Sequence, residues 1–163
     1  MSEAITHPLV DFLLKNKDDR AMLANLRRGL GRSPGENASL YRYLGVFIHE
    51  EWQAADAFLL ATLFALHPTH TGNGNMGDHL LAYTRAVGDD AATTRRFTQV
   101  LNLRRDSLDT PLRQHVSLLK SQEIAVNWYQ LMRDISGWGH PDRYVQQHWA
   151  RRYWQANSGK KQS

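Results

Sequence analysis

The sequence has no cysteine and no long apolar run, and each absence excludes a class of protein. Without cysteine there is no disulfide and no thiolate metal site. The most apolar stretch, 54–66, contains Asp56 and is too short to cross a bilayer. The first residues lack the basic and apolar regions of a secretory signal, so we expect a cytoplasmic protein with no membrane partner.

Acidic residues are scarce in the second half of the chain. Residues 1–90 carry 8 Lys and Arg against 11 Asp and Glu, a balance of −3, whereas residues 91–163 carry 12 against 5, a balance of +7. Arginine outnumbers lysine by 15 to 5. The planar guanidinium group forms paired hydrogen bonds to phosphate and stacks on bases, which favours a nucleic-acid ligand. A GC-rich genome also raises arginine over lysine, and composition alone leaves both explanations open.

Sequence motifs for catalysis are missing as well. The chain has no Gly-x-Ser-x-Gly, no phosphate-binding Gly-Lys-Ser/Thr loop and no cysteine nucleophile, so we expect no enzymatic activity and no cofactor. His67, His70 and His79 lie in or beside a glycine-rich loop, and imidazoles can ligate zinc. Their spacing matches no established metal motif, so we expect no metal site. A metal-dependent helical enzyme that uses these three histidines is kept as an alternative.

Hydrophobic spacing predicts helices throughout the chain and no strands. The predicted helices lie at about 8–16, 19–30, 38–48, 51–66, 78–87, 90–106, 111–120, 122–136 and 141–155. Three prolines suit the first position of a helix, each with the preceding residue as its cap: Pro8, Pro111 and Pro141. We therefore predict an all-α fold of two packed helical lobes with about eight to nine helices. The boundaries are an N-terminal lobe at 1–88, a basic C-terminal lobe at 89–156 and a disordered tail at 157–163.

The segment RRFTQVLNLRRDSLDTPLR, residues 95–113, contains five arginines and only two acidic residues. On a helix, most of these arginines lie off the apolar stripe. Arg104 falls close to the apolar side, so we expect its head group to reach the rim or to find a partner inside the protein. Arg105 and Asp109 form the main expected ion pair. The segment is either a solvated helix face or a surface that binds phosphates.

The C-terminal third is rich in aromatic residues. These rings could stack on bases, but their helical spacing favours the core or a lobe interface. They are Trp128, Tyr129, Trp138, Tyr144, Trp149, Tyr153 and Trp154.

The stretch 95–138 resembles the CasB family, the small subunit of the type I-E CRISPR surveillance complex Cascade. The resemblance rests on an ordered series of short patterns. They are Arg-Arg-Phe at 95–97, Leu-Arg at 112–113, Leu-Leu-Lys at 118–120, Trp-x-x-Leu at 128–131 and Asp-x-x-x-Trp at 134–138. Upstream landmarks are LANLRRGLGR at 23–32, FALHPTH at 64–70 and NMGDHLLAY at 75–83. Asn127 stands where family members often have Asp before the Trp.

The resemblance implies an all-helical, two-lobed protein without enzymatic activity. Two copies would pack head to tail along Cascade and touch the large subunit and the backbone subunits that coat the crRNA. The basic surface would help to hold the guide RNA, the target DNA and the displaced strand of the R-loop. Phosphate contacts carry no sequence information, which suits a complex whose specificity lies in guide–target pairing.

Ten arginines are the predicted phosphate contacts. They are Arg27, Arg28, Arg95, Arg96, Arg104, Arg105, Arg113, Arg143, Arg151 and Arg152. The alternative is a protein-adaptor subunit whose basic helices contact only protein partners and whose aromatic-rich C-terminal third is the docking surface.

Overall fold

The computed structural model describes residues 6–88 and 90–162, with side chains as far as Trp154. The helices are α1 (Pro8–Lys15), α2 (Arg20–Arg27), α3 (Tyr41–Leu44), α4 (Ala54–Leu66), α5 (Met76–Val87), α6 (Asp90–Leu101), α7 (Asp109–Ser121), α8 (Trp128–Gly137) and α9 (Tyr144–Gln162). Short 3₁₀ segments lie at Pro34–Leu40, Gly45–Phe47, Glu51–Gln53 and Arg105–Ser107. The all-α class is confirmed, and the β-type pairing in the described residues is one isolated bridge between His70 and Val126.

Helix α4 lies at the centre of the fold. The residues from Ala57 to Ala65 are all buried, so other helices must pack against every side of α4. It packs against α1, α2, α7 and α8, while α5 packs against α6, α7 and α9. One continuous core therefore runs from Leu9 in α1 to Tyr153 in α9.

The two sequence-based boundaries stay predictions. Helices from both sides of residue 88 contribute to the same core. The lobes at 1–88 and 89–156 are therefore defined by position in the sequence. The predicted disordered tail, 157–163, falls on residues whose side chains lie outside the described part of the chain. No helix in that part is both long and apolar enough to span a bilayer.

The cap predicted for the first helix is confirmed, and the starts predicted for two later helices are wrong. The His7 ring accepts a hydrogen bond from the Leu9 amide at 3.2 Å. Helix α7 begins at Asp109, so Pro111 is its third residue, where the first turn still needs no amide donor. Helix α9 begins only at Tyr144, because Arg143 takes a positive φ of 52° that a helix does not allow.

Three other predicted helices are shorter or more broken than expected. The helix expected at 122–136 begins at Trp128, because the Val126 amide bonds Thr69 O at 3.1 Å and its carbonyl bonds the Thr71 amide at 3.0 Å. The segment expected as one helix at 38–48 is divided into α3 and two 3₁₀ segments. Helix α6 ends at Leu101 rather than at 106.

Side chains from the neighbouring turns fix the end of α6. The Arg143 guanidinium donates a hydrogen bond to the Leu101 carbonyl, and the Trp138 indole donates one to the Leu103 carbonyl at 2.9 Å. These side chains thus supply donors to carbonyls that the end of the helix leaves without a backbone partner.

Candidate nucleic-acid interface

Arg105 is held in the protein by two carboxylates. Its Nε and Nη2 lie 2.8 and 2.7 Å from Asp56 Oδ1, and its Nη1 lies 2.9 Å from Asp109 Oδ1. The expected pair with Asp109 is confirmed. Burial raises the pKa of Asp56, and the adjacent guanidinium opposes that rise. Arg105 thus joins the start of α4 to the start of α7, which is primarily a structural role.

Arg104 reaches the protein surface, which is one of the two positions expected for it, but the helical placement behind that expectation is wrong. Its side chain is exposed and forms no hydrogen bond or ion pair with any described residue. The helical phase that placed it beside the apolar stripe ends at Leu101, and the backbone at Arg104 is extended, with φ −81° and ψ 164°. The structural arginine of this segment is therefore the neighbour, Arg105.

Four of the ten predicted arginines are exposed but already have a local partner. Each guanidinium makes a hydrogen bond to a nearby acceptor: Arg27 to Ala65 O (3.2 Å), Arg28 to Asn25 Oδ1 (3.2 Å), Arg143 to Leu101 O, and Arg152 to Asp78 Oδ1 (2.9 Å). A guanidinium carries five N–H donors. These contacts orient the side chains and leave donors available for a ligand.

Four others are exposed and have no such partner. Arg95, Arg96, Arg104 and Arg151 form no hydrogen bond or ion pair within the described residues. Arg95 and Arg96 lie on α6, away from the buried side that contains Phe97. Like charges without partners repel one another, and a polyanion relieves that repulsion. Arg113, the tenth residue of the set, is half-buried and lies against the loop at Gly31.

A polar cavity of about 540 Å³ lies where α5, α8 and α9 meet. Its walls are the loop 72–75 and side chains from the three helices: Asp78, Asn127, Gln130, His148, Arg151 and Arg152. The carboxylate of Asp78 is occupied, because it accepts hydrogen bonds from Arg152 and from the Asn75 amide. The N-termini of α5 and α8 both border this cavity, and the positive end of a helix dipole favours an anion.

A second cavity of about 530 Å³ continues the first along α8 and α9. The two share Gln130 and His148, and we call them together the α8–α9 groove. Tyr144 and His148 line one side, with ring centroids 5.8 Å apart, and the His140 ring lies next to Tyr144 at 5.3 Å. Arg133 lines the other side. The groove therefore combines cations with exposed ring faces.

The C-terminal aromatics divide between core and surface. Four of the seven are buried, as predicted: Trp128, Trp138, Trp149 and Tyr153. Tyr129 is half-buried. The core expectation is wrong for Tyr144 and Trp154, which are each 39% exposed.

His67 and His70 attach the loop after α4 to the segment 124–128, and His79 attaches α5 to the same segment. The His67 Nε2–H donates to Ile124 O at 2.7 Å. His70 Nδ1 accepts from the Trp128 amide at 3.3 Å, and His79 Nε2 accepts from the Asn127 amide at 3.0 Å.

These contacts require neutral rings at His70 and His79. Burial lowers the pKa of both, that of His79 to about 4. Within the residues that the structure describes, no three His, Asp or Glu side chains are grouped to hold a metal ion. The three histidines instead fix the loop that forms one wall of the α8–α9 groove.

Asn127 fixes the same wall from the other side. Its Oδ1 caps α8 by accepting from the Gln130 amide at 3.2 Å, and its Nδ2 donates to Gly74 O at 3.0 Å. An aspartate could form the first bond but has no donor for the second. The departure from the family pattern at this position therefore ties the loop 72–75 to the start of α8.

Sequence reasoning found Arg151 and Arg152 but missed the groove around them. His148 is three and four residues before these arginines, so helical spacing could have grouped the three. No sequence signal joins them to the loop 72–75, which lies more than seventy positions earlier and is brought to α9 by the packing of α5.

Comparisons with known proteins agree with this fold. The chain belongs to the family of the CRISPR-associated protein Cse2, whose model matches residues 22–154. The CRISPR-associated protein Cse2 of Thermus thermophilus is 30% identical over 152 residues, which cover 87% of this chain and 83% of the relative. The resemblance to the CasB family is thereby confirmed.

Solved structures share the architecture. The crystal structure of M. ruber CasB superposes with a TM-score of 0.80 at 26% identity, covering 94% of each chain. A chain of a CRISPR RNA-guided surveillance complex gives the same TM-score at 23% identity and covers 94% of each chain. The second similarity is one of fold alone.

Proposed function

We propose that this chain is a non-catalytic small subunit of a CRISPR RNA-guided surveillance complex, Cascade, in which it binds nucleic-acid backbone without reading sequence. Family membership and the fold shared with a chain of such a complex support the assembly role. The observation that carries the binding role is the α8–α9 groove. There, Arg151, which has no hydrogen-bond or ion-pair partner among the described residues, stands beside Arg152, His148 and two helix N-termini.

Nine of the ten predicted arginines are proposed to contact phosphate directly. Arg95, Arg96, Arg104 and Arg151 have the most donors free, and Arg27, Arg28, Arg113, Arg143 and Arg152 have some. Arg105 acts indirectly, because its contacts to Asp56 and Asp109 place the exposed Arg104 next to α7.

The proposed ligands are the crRNA, the target DNA and the displaced strand of the R-loop. The proposed protein partners are the backbone and large subunits of the complex and a second copy of this chain, all in the cytoplasm. The groove offers amides, rings and cations but no ordered row of base-reading side chains, so contacts to phosphate and sugar position the strand and base pairing supplies specificity.

The salt dependence of binding tests this proposal. We expect the logarithm of the affinity of the full chain for single-stranded DNA to fall linearly with the logarithm of salt concentration, by roughly 0.7 for each neutralised phosphate. The Arg95→Ala/Arg151→Ala variant, which removes one arginine of α6 and one of the groove, should flatten the slope by about 1.4 if each arginine contacts one phosphate. Fluorescence anisotropy from low to high salt measures both slopes.

The matched control removes two exposed arginines outside the proposed set. Arg20→Ala/Arg42→Ala lowers the net charge equally and should leave the slope nearly unchanged. Equal flattening in both variants would show that only net charge matters. A slope that neither variant changes would exclude these contacts.

A protein-adaptor role is the second candidate function, and the exposed Tyr144 and Trp154 favour it. Under that role, reversing the charge of Arg151 and Arg152 blocks assembly, but complexes that do assemble protect the DNA strands fully. Under the nucleic-acid-binding role, the same variant still assembles into the complex, but the complex protects the DNA strands less.

A further inference from the structure

The segment between α3 and α4 contains a tryptophan whose side chain lies outside the core. Trp52 is 71% exposed and Val46, in the same segment, is 73% exposed. The other large apolar side chains that are exposed in the described residues lie between 37 and 40%. Tryptophan is enriched among the residues that dominate binding energy at protein interfaces, and here it shares a short segment with a second exposed apolar side chain.

The segment is also rigid, although its helices are short. The Gln53 side-chain oxygen accepts hydrogen bonds from the His49 amide at 2.8 Å and the Glu50 amide at 2.9 Å. The Phe47 ring anchors the segment on α1 by packing against Phe12, with centroids 5.3 Å apart. The backbone at Trp52 is therefore held in place, which lowers the entropic cost of binding.

The charges around Trp52 identify the kind of partner. Glu50 and Glu51 precede it directly, both exposed, and neither forms an ion pair with a described residue. Two carboxylates without a cation partner repel phosphate, so a nucleic acid or an anionic membrane is unsuited to this site. A protein surface with an apolar cleft and a rim of Arg or Lys is complementary to it.

The cavities described for this chain complement Trp52 and its two glutamates poorly, so a second copy is not the favoured partner. The candidate is the small depression that Leu30, Leu59 and Leu63 line below Arg32 and Arg113. Its volume is about 20 Å³, room for about one water molecule and far too little for an indole. The α8–α9 groove is larger, but its first cavity is lined mainly by polar groups, and its second contains the carboxylate side chain of Asp134, which does not complement Glu50 and Glu51.

We propose that Trp52, flanked by Glu50 and Glu51, is a docking knob for a different protein subunit that presents an apolar cleft with a basic rim. The inference rests on the proposed membership in a surveillance complex. It adds a contact surface that is separate from the arginines proposed to bind nucleic acid.

The test uses full-length chain and a surveillance complex purified without this subunit. Biolayer interferometry should show that Trp52→Ala weakens association at least tenfold and that Glu50→Lys/Glu51→Lys weakens it most at low salt. The Val87→Ala variant, a truncation at another exposed apolar residue, should bind as wild type. Circular dichroism should show unchanged melting for Trp52→Ala, because an exposed indole contributes little to the fold.

The outcomes separate the two proposals. Wild-type chain that does not bind the complex contradicts the proposed function itself. Wild-type binding that Trp52→Ala leaves unchanged overturns the docking knob alone. If sedimentation shows a homodimer of the isolated chain that Trp52→Ala dissociates, the partner is a second copy and the proposed partner is wrong.

Discussion

Two neighbouring arginines in this protein have different roles because only one of them has carboxylate partners. Arg104 is exposed without a partner among the described residues, whereas Arg105 lies between Asp56 and Asp109. The sequence does predict the pair with Asp109, which is four residues away. It does not predict the contact with Asp56, which depends on how α4 packs against the turn at 105–107. Residue type and spacing therefore identify the arginines but not their roles.

At the residue scale, His79 provides a pH-dependent prediction. Its pKa is about 4 in the folded protein because of burial, against an ordinary value of 6.5. The fold thus favours the neutral ring, and this contribution to stability is complete above pH 6.5 and is lost as pH falls from 6.5 towards 4. Within that window, His79 lowers the free energy of unfolding by at most about 1.4 kcal/mol per pH unit.

The His79→Gln variant tests the effect. A glutamine oxygen can accept the Asn127 amide hydrogen bond but does not titrate, so the variant should lose less stability than wild type between pH 6.5 and pH 4. Urea unfolding at several pH values measures the difference. His49→Gln, at an exposed position, is the control and should follow wild type. Parallel curves for His79→Gln and wild type would contradict the account.

At the scale of elements, the close contact between α5 and α9 builds the groove. A side chain at Gly77 would place its first carbon 2.1 Å from the Trp149 carbonyl oxygen, which belongs to the backbone of α9 and cannot rotate away. Glycine is therefore needed here for close approach, despite its cost within a helix. The contact brings Arg151 and Arg152 next to the start of α5.

The Gly77→Ala variant should accordingly lose about 1–3 kcal/mol of stability through overpacking, although alanine is the better helix former. Displacement of α9 should also weaken DNA binding. Urea unfolding and anisotropy measure the two effects. Gly35→Ala, where a methyl group meets nothing within 4 Å, serves as the control and should keep wild-type stability. A Gly77→Ala protein as stable as wild type would show that α9 does not pack as described.

Helix boundaries show which elements local sequence can predict. The cap at His7 and the end of α5 near residue 87, which Gly88 follows with a positive φ, depend on local signals and agree with the sequence-based bounds. The segment 122–127 looks helical by composition, but its backbone pairs with the loop at 69–71, more than fifty positions earlier in the chain. That pairing overrides local propensity because buried backbone groups must find partners wherever the fold provides them.

At the scale of the whole molecule, an acidic half and a basic half share one core. The difference in charge, −3 against +7, is visible in the sequence. The fold class and the family follow from helical periodicity and ordered landmarks. The α8–α9 groove does not, since it combines a loop, two helix N-termini and one face of α9 that only tertiary packing brings together.

The most direct test of the central claim measures strand protection within the assembled complex. Complexes are reconstituted with wild-type chain or with a variant in which Arg95, Arg96, Arg104 and Arg151 are all alanine, and a single-strand nuclease probes the R-loop. A control variant replaces four exposed cations outside the set: Lys15, Arg20, Arg42 and Arg85. We predict that all three complexes assemble and that only the first variant leaves the displaced strand more open to cleavage. Protection equal to wild type in that assembled variant would contradict the claim that these arginines hold nucleic acid.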